Sequence, residues 1–332
     1  MMQDTIERRV ARWDQSVQSG EINKFSLINR KIIYLSEKLF FDYEPHVGTK
    51  REFFARLGSW LDNMQDEEKQ KLLFELVPKI FYIGREEMNL LYREAYITNY
   101  ARWLIDTTQF DFISFGDSEV LNNLVADTWF YPLTDSLRIN QFYHVNDIPG
   151  KHNYRPDWKS LVQFGDIEKI KDYIKKQEIK RIVLLEDFIG NGGQVSKAIQ
   201  FAANNLSEIP ILIIPLIICP AGIRNSKNLQ SQYPNVVVDP VIIVKEEDLI
   251  HQNLFDNVSD FFKSIHPFII DSYEQVSDSI IVDENKDPYG PFGWRNTGGL
   301  VVMHTNTPNN SLPLIHNLSN TWKPLFKRHK RI

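Results

Sequence analysis

The chain has 332 residues, 42% hydrophobic, 12% aromatic and 24% charged, which gives a sizeable core and, at roughly 150 residues each, about two domains. Those proportions exclude a disordered tail protein, a collagen-like repeat and a disulfide-stapled miniprotein, and the single cysteine, Cys219, points to a reducing compartment. Net charge is −5, and five cations in the last ten residues (Lys323, Lys327, Arg328, Lys330, Arg331) leave −10 for the rest, a body unsuited to coating nucleic acid with a basic tail able to touch phosphate.

The opening, Met1-Met2-Gln3-Asp4 and then Glu7, Arg8 and Arg9, does not read as a charged-then-apolar leader. The longest apolar stretch, residues 209–221, is too short to span a bilayer and carries Pro210, Pro215 and Pro220. A cytoplasmic protein with no membrane partner is expected.

Residues 1–114 are expected to form a helical domain. Phe53-Phe54, Leu57, Trp60-Leu61 and Met64 recur at spacings of three and four, and Leu72, Leu73, Leu76, Ile80 and Phe81 do so after the acidic start Asp66-Glu67-Glu68. Residues 85–105 continue the pattern. No catalytic spacing occurs here, so a scaffold or partner-binding module is expected.

Residues 115–332 change character. A strand is predicted at 128–131, a turn at 132–136, a helix at 137–144, a loop at 149–156 and a charged helix at 167–176. There follow a buried strand at 181–185, a glycine-rich turn, a helix at 195–204, a buried strand at 211–218, a helix at 226–232 and a strand pair within 236–244. Apolar strands alternating with helices predict an α/β fold with a parallel sheet covered on both faces.

One segment carries chemistry: Ile182-Val183-Leu184-Leu185-Glu186-Asp187-Phe188-Ile189-Gly190-Asn191-Gly192-Gly193-Gln194-Val195. It is an apolar strand, two acids at its carboxyl end, a glycine turn and a helix start. Open α/β sheets bind ligands at that end of their strands. Glycines let backbone N–H groups approach an anion, and the helix start adds its dipole. Acids before such a turn can accept hydrogen bonds from neighbouring sugar hydroxyls or hold Mg²⁺. The pattern suits a ribose 5-phosphate. A Walker loop is disfavoured because the required Gly-Lys is missing. A dinucleotide fingerprint is disfavoured because Val195 stands at its third glycine. A strand–helix turn that binds nothing is the bland alternative, yet two carboxylates ending a buried strand are costly without a partner.

The segment resembles the phosphoribosyl-pyrophosphate loop of type I phosphoribosyltransferases: apolar strand, acid-acid, two apolar residues, a small residue, then Thr-Gly-Gly-Thr. Glu186 and Asp187 fall on the acids, Gly192 and Gly193 on the glycines, and Asn191 and Gln194 stand where the family has threonines. Over residues 115–326 the chain is also similar to the phosphoribosyltransferase-like effectors of bacterial conflict systems, which occur in anti-phage operons including some retrons. That similarity runs through Phe130-Tyr131-Pro132-Leu133-Thr134-Asp135-Ser136 and through residues 300–313.

The resemblance implies an enzyme acting at the anomeric carbon of a phosphoribosyl or nucleotide ligand, with Mg²⁺ as cofactor and an outcome toxic to the host cell. Glu186 and Asp187 would take the ribose hydroxyls or the metal. Gly190, Asn191, Gly192, Gly193 and Gln194 would hold the 5-phosphate. Thr134, Asp135 and Ser136 fall at the pyrophosphate loop, although a plain helix cap would use the same residue types. Lys151 and Arg155 fall at the flap that closes over substrate, or in an ordinary solvated loop; Arg138 is a further cation. His304, Asn306 and Asn309 would bind the acceptor, or form a turn. Cys219 is read as a core residue rather than a nucleophile. Two other readings stay open: a nucleotide sensor without catalysis, and a module whose helical region or basic tail docks on protein or nucleic-acid partners.

Overall fold

The computed structural model describes residues 2–16, 23–44, 49–108, 118–134, 136–149, 167–255, 258–278 and 288–329. In chain order the helices α1 (Met2–Ser16), α2 (Lys24–Lys38), α3 (Phe53–Leu61) and α4 (Glu67–Leu76) precede strand β1 (Phe81–Ile83). Helix α5 (Arg85–Glu94) runs through a π-helical turn (Ala95–Tyr100) into α6 (Ala101–Thr108), and α7 (Ser118–Ala126) follows. Then come β2 (Thr128–Pro132), α8 (Ile139–Val145), α9 (Ile167–Lys176), β3 (Arg181–Ile189), α10 (Gly193–Asn205), β4 (Ile211–Ile218), α11 (Pro220–Gln232), β5 (Val236–Val238) and β6 (Ile242–Ile243). The last elements are α12 (Asp260–Asp271), α13 (Tyr273–Ser277), the short pair β7 (Tyr289–Gly290) and β8 (Gly293–Trp294), β9 (Val301–Met303) and α14 (Pro313–His316).

The chain divides into two compact units, one made of Met1–Glu86 with Glu247–Ile332, the other of Glu87–Glu246. The division expected at residue 114 follows composition along the sequence, whereas these units follow contacts.

In the first unit, Trp13, Leu57, Trp60 and Phe74 from the early helices share one core with Ile250, Ile265, Leu314, Trp322 and Phe326. The indole N–H groups of Trp60 and Trp322 both donate to the Leu314 carbonyl, at 2.8 and 3.0 Å. Asp66 caps α4, its carboxylate accepting from the Glu68 amide at 2.9 Å. The helix expected to run through Phe81 stops at Leu76, because Pro78 follows within one turn. Phe81–Ile83 is instead a strand paired in parallel with Val301–Met303, a distant partner that local periodicity cannot reveal. The basic end of the chain is packed through residue 329: Trp322, Leu325 and Phe326 are fully buried, and the Tyr43 hydroxyl donates to the Lys327 carbonyl at 3.0 Å. Lys330 and Arg331 lie outside the described residues.

The second unit is the α/β body. Its five-stranded sheet has the order β2-β3-β4-β5, with β6 also pairing β4, and every pairing is parallel. Trp129, Ile182, Leu184, Ile211 and Ile213 face one side, packed on Ile170, Ile174, Ile199 and Ala202 of the helices. On the other side Phe130 meets the rings of Tyr96, Tyr100, Phe142 and Tyr143. This two-sided cover is why β3 and β4 read as continuous apolar runs. The expected strand 181–185 extends to Ile189, since its ladder with β4 continues to the pair Ile189–Ile218. The expected helix 226–232 begins earlier, at Pro220, a residue suited to a first helical position. Cys219 is buried and its thiol is pushed up to about 12 by that burial and, secondarily, by Glu246, which fits a core residue and not a nucleophile. Among the described residues no helix is long and apolar enough to cross a membrane.

Candidate functional site

Strand β3 sits between β2 and β4 and is buried along its whole length. It carries Glu186 and Asp187 to the carboxyl side of the sheet, where they are only 4% and 9% exposed. Buried carboxylates need partners, and the register of β2 supplies them. Pro132 pairs with Leu185, and the Leu133 amide donates to the Leu185 carbonyl at 2.7 Å. The turn after β2 therefore comes alongside the acids.

The result is a small polar network. Thr134 gives Glu186 two hydrogen bonds, from its amide at 3.0 Å and from its hydroxyl at 2.7 Å. Ser136 Oγ donates to Asp187 Oδ1 at 2.9 Å, and the Phe188 amide donates to the same oxygen at 2.8 Å. The Thr134 and Ser136 hydroxyl oxygens are 2.7 Å apart. Tyr92 also lies in this neighbourhood: burial holds its hydroxyl pKa well above the ordinary value, the negative charge of Asp187 adds to that, and Arg138 opposes it.

Beyond Ile189 the chain turns through Gly190-Asn191-Gly192-Gly193 into α10. Gly192 caps the helix at φ +81°, a left-handed conformation that favours glycine. Asn191 Oδ1 accepts from the Gly193 amide at 3.0 Å, while Asn191 Nδ2 is buried with no hydrogen-bond partner among the described residues. Gln194 is the second residue of the helix. Helix α11 braces this turn. The Asn225 side-chain amide donates to the Asn191 carbonyl, and a Cβ on Gly222 would lie 2.9 Å from the Gly190 carbonyl oxygen, so only glycine lets the helix come this near. Gly222 and Asn225 were not legible as site residues: they follow the motif by some thirty residues and carry no pattern of their own.

The structure thus brings Thr134, Ser136, Glu186, Asp187 and the 190–194 turn together within one unit. Asp135, Lys151 and Arg155 lie outside the described residues. His304, Asn306 and Asn309 belong to the first unit, where two of them make backbone hydrogen bonds and Asn306 uses its side chain. The His304 amide donates to the Ile83 carbonyl at 2.8 Å. Asn306 Oδ1 accepts from the amides of Thr307 and His329, at 3.0 and 2.9 Å. The Asn309 carbonyl accepts from the Trp294 amide at 2.8 Å.

Two carboxylates are hard oxygen donors of the kind Mg²⁺ takes together with substrate phosphates. Here both are nearly buried and already accept from Thr134, Ser136 and Phe188. Among the described residues no group of three or more His, Cys, Asp or Glu is placed to hold a metal ion. Glu186 and Asp187 are the two carboxylates here that could meet a Mg²⁺ ion carried on a ligand's phosphates.

An inner strand of the parallel sheet carries an acid pair and a glycine turn at its carboxyl end, and a family match makes this a phosphoribosyltransferase-like α/β protein. The PRTase-CE family model matches residues 57–328, and the chain belongs to that family. No curated protein and no solved structure matches it. The family match starts at residue 57, within α3, so it takes in part of the helical region that the likeness over residues 115–326 leaves out.

Proposed function

We propose that the chain binds a phosphorylated ribose, as phosphoribosyl pyrophosphate or a nucleotide, at the end of β3 and acts at its anomeric carbon. The 5-phosphate would rest on the Gly190 to Gln194 turn, and the ring hydroxyls on Glu186 and Asp187. One observation carries this reading: an acid pair that already holds two neighbouring hydroxyls, those of Thr134 and Ser136, directly before a glycine turn. The family match supports the transferase class.

In the transfer, the bond from the anomeric carbon to the leaving group breaks, and the electron pair departs on the diphosphate or base. A nitrogen of an acceptor base, or a water oxygen, forms the new bond and gives up its proton. Positive charge builds on the sugar as the bond stretches, and buried carboxylates stabilise it electrostatically. Mg²⁺, where required, would arrive on the phosphates of the ligand. Mass spectrometry of the chain incubated with phosphoribosyl pyrophosphate tests this: ribosyl product should form with the wild type and vanish with Glu186→Gln plus Asp187→Asn. Turnover that survives this double change sinks the reading.

A second reading, a nucleotide sensor without catalysis, is favoured by the same network, because both acids and the Gly193 amide are engaged without a ligand. Thermal stabilisation by phosphoribosyl pyrophosphate with no product selects it. An anti-phage role with a toxic outcome, and docking of protein or nucleic-acid partners on the helical region or the basic end, extend the reading by resemblance. Growth arrest on expression that the double change relieves is the expected outcome for the first. Co-purified partner lost on deleting residues 330–332 is the expected outcome for the second.

A further inference from the structure

Each kind of polar group that a ribose phosphate needs here is matched by a group of the chain itself. Thr134 Oγ1 and Ser136 Oγ are 2.7 Å apart, close as neighbouring hydroxyls on a sugar ring are close. They donate to Glu186 Oε1 at 2.7 Å and to Asp187 Oδ1 at 2.9 Å. At the other end of the motif Asn191 Oδ1 accepts from the Gly193 amide at 3.0 Å, one of the helix-start donors that an anion would otherwise take. That same orientation leaves Asn191 Nδ2 buried and without a partner among the described residues, which weighs against the closed arrangement. Once the side chain turned, a phosphate oxygen could accept from Nδ2 and from the Gly193 amide alike.

We propose that Thr134, Ser136 and Asn191 stand in for the ligand. The two hydroxyls occupy the diol positions on the acids and the carboxamide oxygen occupies a phosphate-oxygen position, so ribose phosphate binds by displacing them and these three residues set its affinity. The proposal rests on the ribose reading above and deepens it. Its physical basis is that Glu186 and Asp187 are too buried to stand bare. The turn satisfies them in the free chain, and a ligand exchanges hydroxyl for hydroxyl without leaving a charge unpaired. The free energy of displacement subtracts from the affinity of the ligand. If the 134–136 turn receives pyrophosphate instead, losing its hydroxyls cannot improve binding of a ligand that has no pyrophosphate.

Ribose 5-phosphate, which has the diol and one phosphate, is therefore the probe, titrated calorimetrically into the full chain. Ser136→Ala removes a donor to Asp187 and is expected to bind about tenfold tighter than wild type. Thr134→Ser, which keeps its hydroxyl, should match wild type. Asn191→Ala should speed hydrogen exchange at the Gly193 amide in the free chain, and added ribose 5-phosphate should slow it again. Equal or weaker binding by Ser136→Ala, when wild type binds and Glu186→Gln plus Asp187→Asn binds more weakly, overturns the stand-in role and leaves the ribose reading intact. If none of these chains binds while all are folded by circular dichroism, both fall.

Discussion

Residues 186–194 and residues 304–310 are both dense in polar side chains, and they use them differently. In 304–310 the partners are chiefly backbone groups: Asn306 holds the amides of Thr307 and His329, and the Thr307 hydroxyl donates to the Phe326 carbonyl at 3.3 Å. Thr307 and Phe326 are buried, where backbone groups must be satisfied, and the bond to the exposed His329 amide adds to them. At 186–187 the partners of two buried carboxylates include side-chain hydroxyls. A ligand hydroxyl can replace a side-chain hydroxyl without unpairing any backbone. Polar density alone therefore does not mark a site; what the polar groups hold does.

The contrast is broken most forcefully through the segment that 304–310 holds. Trp322 is fully buried and its indole donates to the Leu314 carbonyl. Trp322→Ala should cost about 3–5 kcal/mol of stability, read as a lower urea midpoint for the first unit. Ribose 5-phosphate affinity at 25 °C should not change. A stable variant would show that the basic end is a free tail after all.

Next in size is the acid pair. Glu186→Gln with Asp187→Asn keeps the shapes but removes the charges that accept from Thr134 and Ser136. The free chain loses its own charge-assisted bonds from Thr134 and Ser136 too, so the net effect is smaller than two bonds, about tenfold weaker binding of phosphoribosyl pyrophosphate, measured by calorimetry. Binding within a few-fold of wild type would put 186–187 in the same class as 304–310.

Much of this site was readable in the sequence, and the missing part has a common cause. The apolar run, the acids, the glycines and the helix start are consecutive, so their order on β3 and α10 follows from local chemistry. That Thr134 lies against Glu186 depends on the pairing of Pro132 with Leu185, and register between parallel strands is set by non-local packing. The same holds for β1, whose partner Val301–Met303 lies far along the chain, and for Asn225, whose only link to the motif is spatial. Residues 304–310 pose the opposite difficulty, because a run of Asn, Thr and Pro has the same composition whether it binds a ligand or forms a turn.

Gly192→Ala probes the turn with a smaller change. The left-handed φ of +81° puts a Cβ in strain, and that Cβ would also meet Asn225 Cβ at 3.4 Å. A loss of roughly 1–2 kcal/mol follows from the backbone alone. Ribose 5-phosphate affinity should fall with it, because the Gly193 amide follows directly from this residue. An unchanged urea midpoint would mean the turn relaxes freely and is no preformed cradle.

The smallest effect tests the comparison from its other side. Asn306→Ala removes the oxygen that accepts from the Thr307 and His329 amides, one within the turn and one in the chain end. Stability should drop by about 1 kcal/mol, while binding of ribose 5-phosphate and turnover of phosphoribosyl pyrophosphate should both match wild type. If Asn306 instead serves an acceptor base, the result inverts. Stability then barely moves, and the KM for the acceptor rises with no change in ribose 5-phosphate binding. Stability falls only in the first outcome and the acceptor KM rises only in the second, so these two measurements separate a turn that ties the chain down from a hood over a substrate.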